Sequence, residues 1–189
     1  MLKDIVLRCR SYRRFDEKFA IDEKLLHELV DLARLSASGA NLQPLKYMLS
    51  FTPQTNAVIF PQLGWAGYLK DWPGPAEGER PSAYIIVLGD SGIRKDFGCD
   101  HGIAAQSIML GAVERGLGGC MIASVKRDTL REALHIPQQL EILLVLALGK
   151  PVEIVQIDPL GADGDIKYWR DENQVHHVPK RVLEDIILR

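Results

Sequence analysis

Arg10-Ser11-Tyr12-Arg13 sets two guanidiniums and a hydroxyl within four residues. Forked donors at that spacing can surround a phosphate, and they suit a solvated, charged helix end equally well. A second basic cluster, Lys180-Arg181, follows His176-His177-Val178-Pro179 and reads by itself as surface charge. In Ser36-Ala37-Ser38-Gly39-Ala40-Asn41-Leu42-Gln43-Pro44, the side chains of Ser38, Asn41 and Gln43 can meet the donor–acceptor edge of a heterocycle. Ala37, Gly39 and Ala40 are small enough to let such a ligand come close. Taken alone, this stretch reads as a helix cap and turn. Trp65, Tyr68 and Trp72 lie in a stretch, 61–81, rich in proline and glycine. They could roof a planar ligand or simply bury the loop.

Self-sufficient catalytic sets are missing: there is no G-x-S-x-G elbow and no H-E-x-x-H. Cys99-Asp100-His101 and His176-His177 hold ligand-type atoms, but neighbouring residues on a helix or strand point in different directions. They read as surface or structural residues rather than a metal site. Gly116-Leu117-Gly118-Gly119 lacks the third glycine of a dinucleotide loop, because position 121 is Met, and it follows a helix instead of a strand. Many groups suited to anions and flat ligands, with few acid–base pairs, imply a protein that binds and orients a cofactor while the cofactor carries the reaction.

The elements that must position these groups follow from periodicity. Ile5, Val6 and Cys9 fit one face of a short opening helix. Asp22 is set to cap a helix whose apolar stripe runs Leu25, Leu29, Leu32, Ala33 and Ser36, with Ile21 and Leu26 as a hydrophobic staple. Strands are predicted at 47–51, at 83–89 (apolar throughout, hence central), at 119–123 and at 142–148. Between them a helix at 99–115 carries the small stripe Ala104, Ile108, Gly111 and Ala112, and ends at Gly116; a shorter helix spans 128–134. The last forty residues give extended segments at 153–157 and 167–169, then a helical turn at 182–187. Without strict βαβ alternation, the pattern predicts an α+β layered sheet.

With 189 residues, 47% hydrophobic and 25% charged, the chain is expected to form one domain over 1–189. Its net charge of −2 gives no reason to expect nucleic acid or an anionic membrane as a partner. Cys9, Cys99 and Cys120 are too widely spaced for a disulfide framework and read as buried free thiols. The first residues lack the apolar segment of a signal peptide, and no run is long enough to span a membrane, so a cytoplasmic protein is expected.

Together the motifs resemble the FMN-dependent nitroreductase family. Arg10-Ser11-Tyr12-Arg13-Arg14-Phe15 is similar to its R-S-x-R-x-F motif, and Ser38-Gly39-Ala40-Asn41-Leu42-Gln43-Pro44 to its S-x-x-N-x-Q-P segment. Gly116-Leu117-Gly118-Gly119-Cys120-Met121-Ile122 resembles its G-L-G-x-C-x-I strand, and Pro179-Lys180-Arg181-Val182-Leu183-Glu184 its closing basic segment. The matches fall in order along nearly the whole chain. The resemblance implies a three-layer α-β-α sandwich around a mainly antiparallel mixed sheet, in an intertwined homodimer with FMN at the interface. It implies that segment 151–189 reaches toward the partner subunit. Arg10, Ser11 and Arg13, helped by Lys180 or Arg181, would hold the phosphate and ribityl oxygens. Asn41 or Gln43 would meet polar flavin atoms, and Ile122, Ala123 and Ser124 would lie near the reactive face. The segment containing Ala37, Ser38 and Asn41 would come from the opposite subunit.

The implied reaction is ping-pong hydride transfer from NAD(P)H to the flavin, then to a small-molecule acceptor such as a nitroaromatic or quinone. No side chain would act as nucleophile, and Trp65 and Tyr68 would roof the acceptor pocket. Flavin storage or sensing without turnover, or other flavin chemistry such as dehalogenation or flavin breakdown, are the alternatives. This chain departs from the family pattern at Cys9, Ala37 and Leu45, and in Met121-Ile122-Ala123.

Overall fold

A computed structural model describes residues 1–188. It begins with α1 (Leu2–Arg8), β1 (Phe15–Asp16), α2 (Glu23–Arg34), β2 (Leu45–Ser50), α3 (Pro53–Ile59) and β3 (Ala83–Asp90). It continues with α4 (Asp100–Glu114), β4 (Gly118–Ile122), α5 (Arg127–Ala133) and β5 (Leu140–Pro151). A small C-terminal sheet is built from β6 (Val155–Pro159), β7 (Trp169–Arg170) and β8 (His176–Lys180). No helix among the described residues is long and apolar enough to cross a membrane.

The main sheet is organised on β5, whose twelve residues are needed to reach three partners. One edge pairs with β3 and the other with β4, and at Lys150 and Pro151 the strand also pairs with β1. Beyond β3 lies β2, and every one of these pairings is antiparallel. Parallel pairing enters only through an isolated bridge between Ser11 and Gly119 and through β6 with β8 in the small sheet. The continuous apolar run predicted a central strand, and β3 is one, with every residue from Ala83 to Gly89 buried.

Alternate residues of β3 and β5 feed two separate cores, as the period of two in a strand requires. Ala83, Ile85, Val87, Leu146 and Leu148 meet α2 and α4 on one face. On the other, Tyr84, Ile86, Leu88, Val145 and Ala147 meet Ile59 of α3 and Leu130 of α5. The result is the α-β-α sandwich. Asp22 caps α2 by accepting from the Leu25 N–H at 2.8 Å, and Ile21 and Leu26 are both buried in the first core.

Some expectations change. Helix α3 was not anticipated, although Thr52 accepting from the Thr55 N–H, with Pro53 at the first helical position, is a standard start signal. Val6 is exposed, so the opening helix does not bury the face drawn for it. Cys99 is exposed instead of buried. The closing helical turn shortens to a 3₁₀ turn, Leu183–Asp185. In the small sheet, His176 buries inward while His177 turns to Asp158 at 2.7 Å, the divergence expected of neighbours on a strand.

Candidate functional site

The N-terminal arginine motif is held by the end of β4. Tyr12 N–H donates to the Gly119 carbonyl at 2.9 Å, and Ser11 bridges the same residue. Gly119 cannot carry a side chain here, because a Cβ would lie 2.4 Å from the Ala147 carbonyl oxygen. Gly116, at φ 74, ends α4 and turns the chain into β4; this glycine run is therefore a cap and a close strand contact, not a phosphate loop.

Behind the motif lies a buried ionic cluster. Glu153 accepts the backbone N–H groups of Arg13 and Arg14 and pairs with the Arg170 guanidinium at 2.9 Å. Arg170 in turn covers the face of Trp72 at 4.3 Å, so the small C-terminal sheet is fastened both to the motif and to the 61–81 loop. The Arg13 side chain donates to the Ser11 carbonyl at 3.1 Å, lies 3.2 Å from His176 Nε2 and sits over the Tyr168 ring at 4.8 Å. Arg14 is paired off with Glu79 at 2.5 Å.

In front of this cluster is a cavity of about 300 Å³ lined by Arg10, Ser11, Arg13, Tyr168, His176 and Lys180, with Cys9, Gln106, Met109, Met121 and Val178 completing the wall. No Asp or Glu lines it. Arg10 Nε and His176 Nδ1 are buried there without a hydrogen-bond partner. Because Arg13 must donate to Nε2, the proton of a neutral His176 resides on Nδ1, leaving a buried donor unused. The cavity's donor set fits a phosphate: it offers guanidinium, ammonium and hydroxyl groups and no competing carboxylate.

A second cavity of about 180 Å³ shares Arg13 and Met121 with the first and is lined by Gly64, Trp65, Ala66, Cys120, Ile122, Ala123 and Ser124. The chain thus brings its N-terminal cations, Lys180, the 122–124 segment and Trp65 onto two neighbouring cavities that share Arg13 and Met121. Tyr68 is near them but outside the second cavity, its ring tilted by 57° against Tyr168 with centroids 4.9 Å apart. Arg181 is exposed and lines neither cavity.

The stretch 36–44 lies apart, on a cavity of about 180 Å³ lined in part by Ala37, Ser38, Gln43 and Asp100. Its own hydrogen bonds make the turn. Ser38 Oγ donates to Asp100 at 2.6 Å and accepts from the Gln43 N–H at 2.9 Å; the Gly39 N–H also reaches Asp100 at 2.9 Å. Ala40, Asn41 and Gln43 take positive φ values of 50, 55 and 51. Burial alone would raise the Asp100 carboxyl, but the donors Ser38 and Gly39, with Arg94 nearby, hold it below the usual range. Asn41 is exposed and Gln43 Nε2 donates to its carbonyl at 3.1 Å. Within one chain, these residues do not reach Arg13's cavity.

His176 was read as surface or structural, and its place at the cavity was missed. Burial first, then the charges of Arg13, Arg170 and His177, push its pKa down to about 4. Since the unfolded imidazole titrates near 6.5, the unfolded chain binds more protons between those values, and stability falls as pH drops from about 6.5 to 4. His177 opposes this: its hydrogen bond to Asp158 raises its pKa, so its contribution is present at low pH and lost as pH rises. Urea unfolding of wild type and His176→Gln at a series of pH values isolates the effect. The variant is expected to lose less stability on acidification; equal loss would remove His176 as the source.

The geometry has counterparts among known proteins. A Nitroreductase family model matches residues 73–150, a span containing Gly116–Leu117 and β4 but neither the N-terminal arginines nor Ser38 to Pro44. A protein of Burkholderia lata described as an NADH dehydrogenase/NAD(P)H nitroreductase is 27% identical over 74 residues, which are 39% of this chain and 37% of that relative's length. The crystal structure of a nitroreductase family protein from Streptococcus pneumoniae TIGR4 aligns over 100% of both chains with a TM-score of 0.74 at 13% identity. Another, described as a nitroreductase from Exiguobacterium sibiricum and crystallised with FMN, aligns over 81% of this chain and 89% of its own, with a TM-score of 0.68 at 19% identity. The chain has the nitroreductase fold, and its resemblance to that family extends from the motifs to the family model and the tertiary structure.

Proposed function

We propose that the chain is an FMN-dependent oxidoreductase acting as a homodimer. The observation that carries this is the carboxylate-free cavity of Arg10, Ser11, Arg13, His176 and Lys180, which shares Arg13 and Met121 with a neighbouring cavity lined by Ile122, Ala123, Ser124 and Trp65. FMN, bound in the relative from Exiguobacterium sibiricum, needs one anionic end and one flat, apolar end, and this region offers both. When bound, it would supply the electron chemistry, taking hydride from NAD(P)H and passing reducing equivalents to a nitroaromatic, quinone or similar acceptor.

The chain's own work is binding and exclusion. Arg10, Arg13 and Lys180 neutralise the phosphate, the Ser11 hydroxyl adds a donor, and His176 holds Arg13 in place. Lys180 lines the cavity and Arg181 does not, so Lys180 carries the C-terminal contribution. Ala37, Ser38, Asn41 and Gln43 serve the cofactor of the other subunit, since they lie away from the cations of their own. Exposed apolar side chains on α1 (Leu2, Val6, Leu7) and at the C-terminus (Leu183, Ile186, Ile187) supply surface for that association.

Purified protein is expected to be yellow, to release FMN on denaturation and to bleach when NADH or NADPH is added without oxygen. A colourless protein that FMN cannot reconstitute overturns the proposal; one that binds FMN but does not bleach leaves only flavin binding. Replacing Trp65 and Tyr68 together with alanine should raise the acceptor's KM about tenfold, the equivalent of ~1.4 kcal/mol of lost contact, with FMN retained. Unchanged constants across an acceptor series would remove both from the pocket.

A further inference from the structure

Arg13 lines both cavities of the candidate site, and the way its guanidinium is held differs from that of its neighbours. Arg14 is paired with Glu79 and Arg170 with Glu153, but the Arg13 side chain makes no ion pair among the described residues; Glu153 takes only its backbone N–H. Its side-chain hydrogen bonds leave from one corner: Nη1 donates to the Ser11 carbonyl at 3.1 Å and meets His176 Nε2 at 3.2 Å. A planar group tied at one corner can still turn about it. What restrains its plane is a face contact, since Cζ lies 4.8 Å from the centre of the Tyr168 ring.

Tyr168 comes from the segment just before β7 and lines the first cavity beside Arg13. Two further rings hold it, Tyr68 at 4.9 Å and His176 at 5.1 Å, tilted by 57° and 44°. Its hydroxyl is engaged elsewhere, accepting the Tyr68 N–H at 3.4 Å, so Arg13 meets the ring face. An aromatic face is electron-rich at its centre, and a guanidinium over it is attracted without being neutralised. A carboxylate in that place would hold Arg13 as firmly but would compete with an incoming anion. The ring orients the cation and leaves its charge available. Resting on the flavin reading above, we infer that Tyr168 is a positioning residue for the cofactor phosphate: its π electrons, not its bulk, hold the Arg13 guanidinium in the orientation that grips the anion.

Phenylalanine, difluorophenylalanine and pentafluorophenylalanine placed in turn at position 168 drain the ring face of electrons while changing its size little. FMN and inorganic phosphate are the two probes, with urea midpoints to establish that the variants are equally folded. Tyr168→Phe should bind both within about twofold of wild type, and the pentafluoro ring at least about fivefold more weakly, with the difluoro ring between. Tyr168→Leu, which keeps bulk without a π face, should resemble the pentafluoro ring. An anion resting on the ring itself would bind more tightly as fluorine is added, so a gradient of opposite sign overturns the assignment. A flat series, or a gradient seen with FMN but not with phosphate, does the same. The flavin reading falls separately: graded phosphate binding by a protein that never takes FMN removes the flavin and sustains the role of Tyr168, whereas FMN bound without a gradient removes only Tyr168. A wild type that binds neither probe overturns both.

Discussion

Replacing Arg10 and Arg13 together with alanine is expected to raise the Kd for FMN at least ~100-fold, so that the protein purifies without its flavin. Each guanidinium–phosphate contact is a charge-assisted hydrogen bond worth about 1.5–3 kcal/mol, and two such losses multiply in the binding constant. The pair differ in kind. Arg10 lines the cavity with a buried, unpartnered Nε and is otherwise tied only to the Val6 carbonyl at 2.8 Å, so Arg10→Ala alone removes a ligand donor with little else. Arg13 also holds His176 and packs on Tyr168, so its loss reaches into the small sheet. Fluorescence titration of FMN into folded single and double variants separates these roles. Unchanged affinity in the double variant would take the phosphate away from this cavity.

Glu153→Ala should be the most damaging single change to stability, at about 3–5 kcal/mol, the range found when one member of a buried ion pair is removed. The Glu153 side chain is 1% exposed and that of Arg170 9%, so water cannot replace the lost partner. Two backbone N–H groups, those of Arg13 and Arg14, would be orphaned as well. Arg170 would remain buried over Trp72, and Arg13 beside His176, both without their countercharge. Urea denaturation measures the loss. Glu153→Gln, which keeps an acceptor for the two N–H groups, should fall between wild type and Glu153→Ala. A change below about 1 kcal/mol for Glu153→Ala would show that the cluster is compensated by water instead of by the carboxylate.

Local sequence determined the elements that rest on local physics. Asp22 as a cap, the termination of α4 at Gly116, and the buried runs of β3 and β5 follow from side-chain chemistry within a few residues, and so were legible. The ordered motifs and the family resemblance they carry likewise named the fold and several residues that line the two cavities around Arg13: Arg10, Ser11, Arg13, Ile122, Ala123, Ser124 and Lys180, with Trp65 added from the aromatic loop. Helix α3 was readable in principle from Thr52-Pro53 but stood beside a proline-rich loop that masked it.

Only the tertiary structure could decide between equal readings of the same residues. Arg10 and Arg13 face a cavity without carboxylates, whereas Arg14, their neighbour, is neutralised by Glu79, sixty-five positions away in sequence. Glu153, Tyr168 and His176 carry no motif, and they matter because folding sets them beside Arg13. Their burial, which fixes the His176 tautomer and leaves its Nδ1 without a partner, is a property of the packed chain. The turn at Ser38 to Gln43 shows the same division: its small and amide residues foretold a bend, but its separation from Arg13's cavity, and hence the proposal that it serves a second subunit, came only from where Asp100 holds it. Charges and hydrogen bonds act across space, and sequence distance carries almost none of that information.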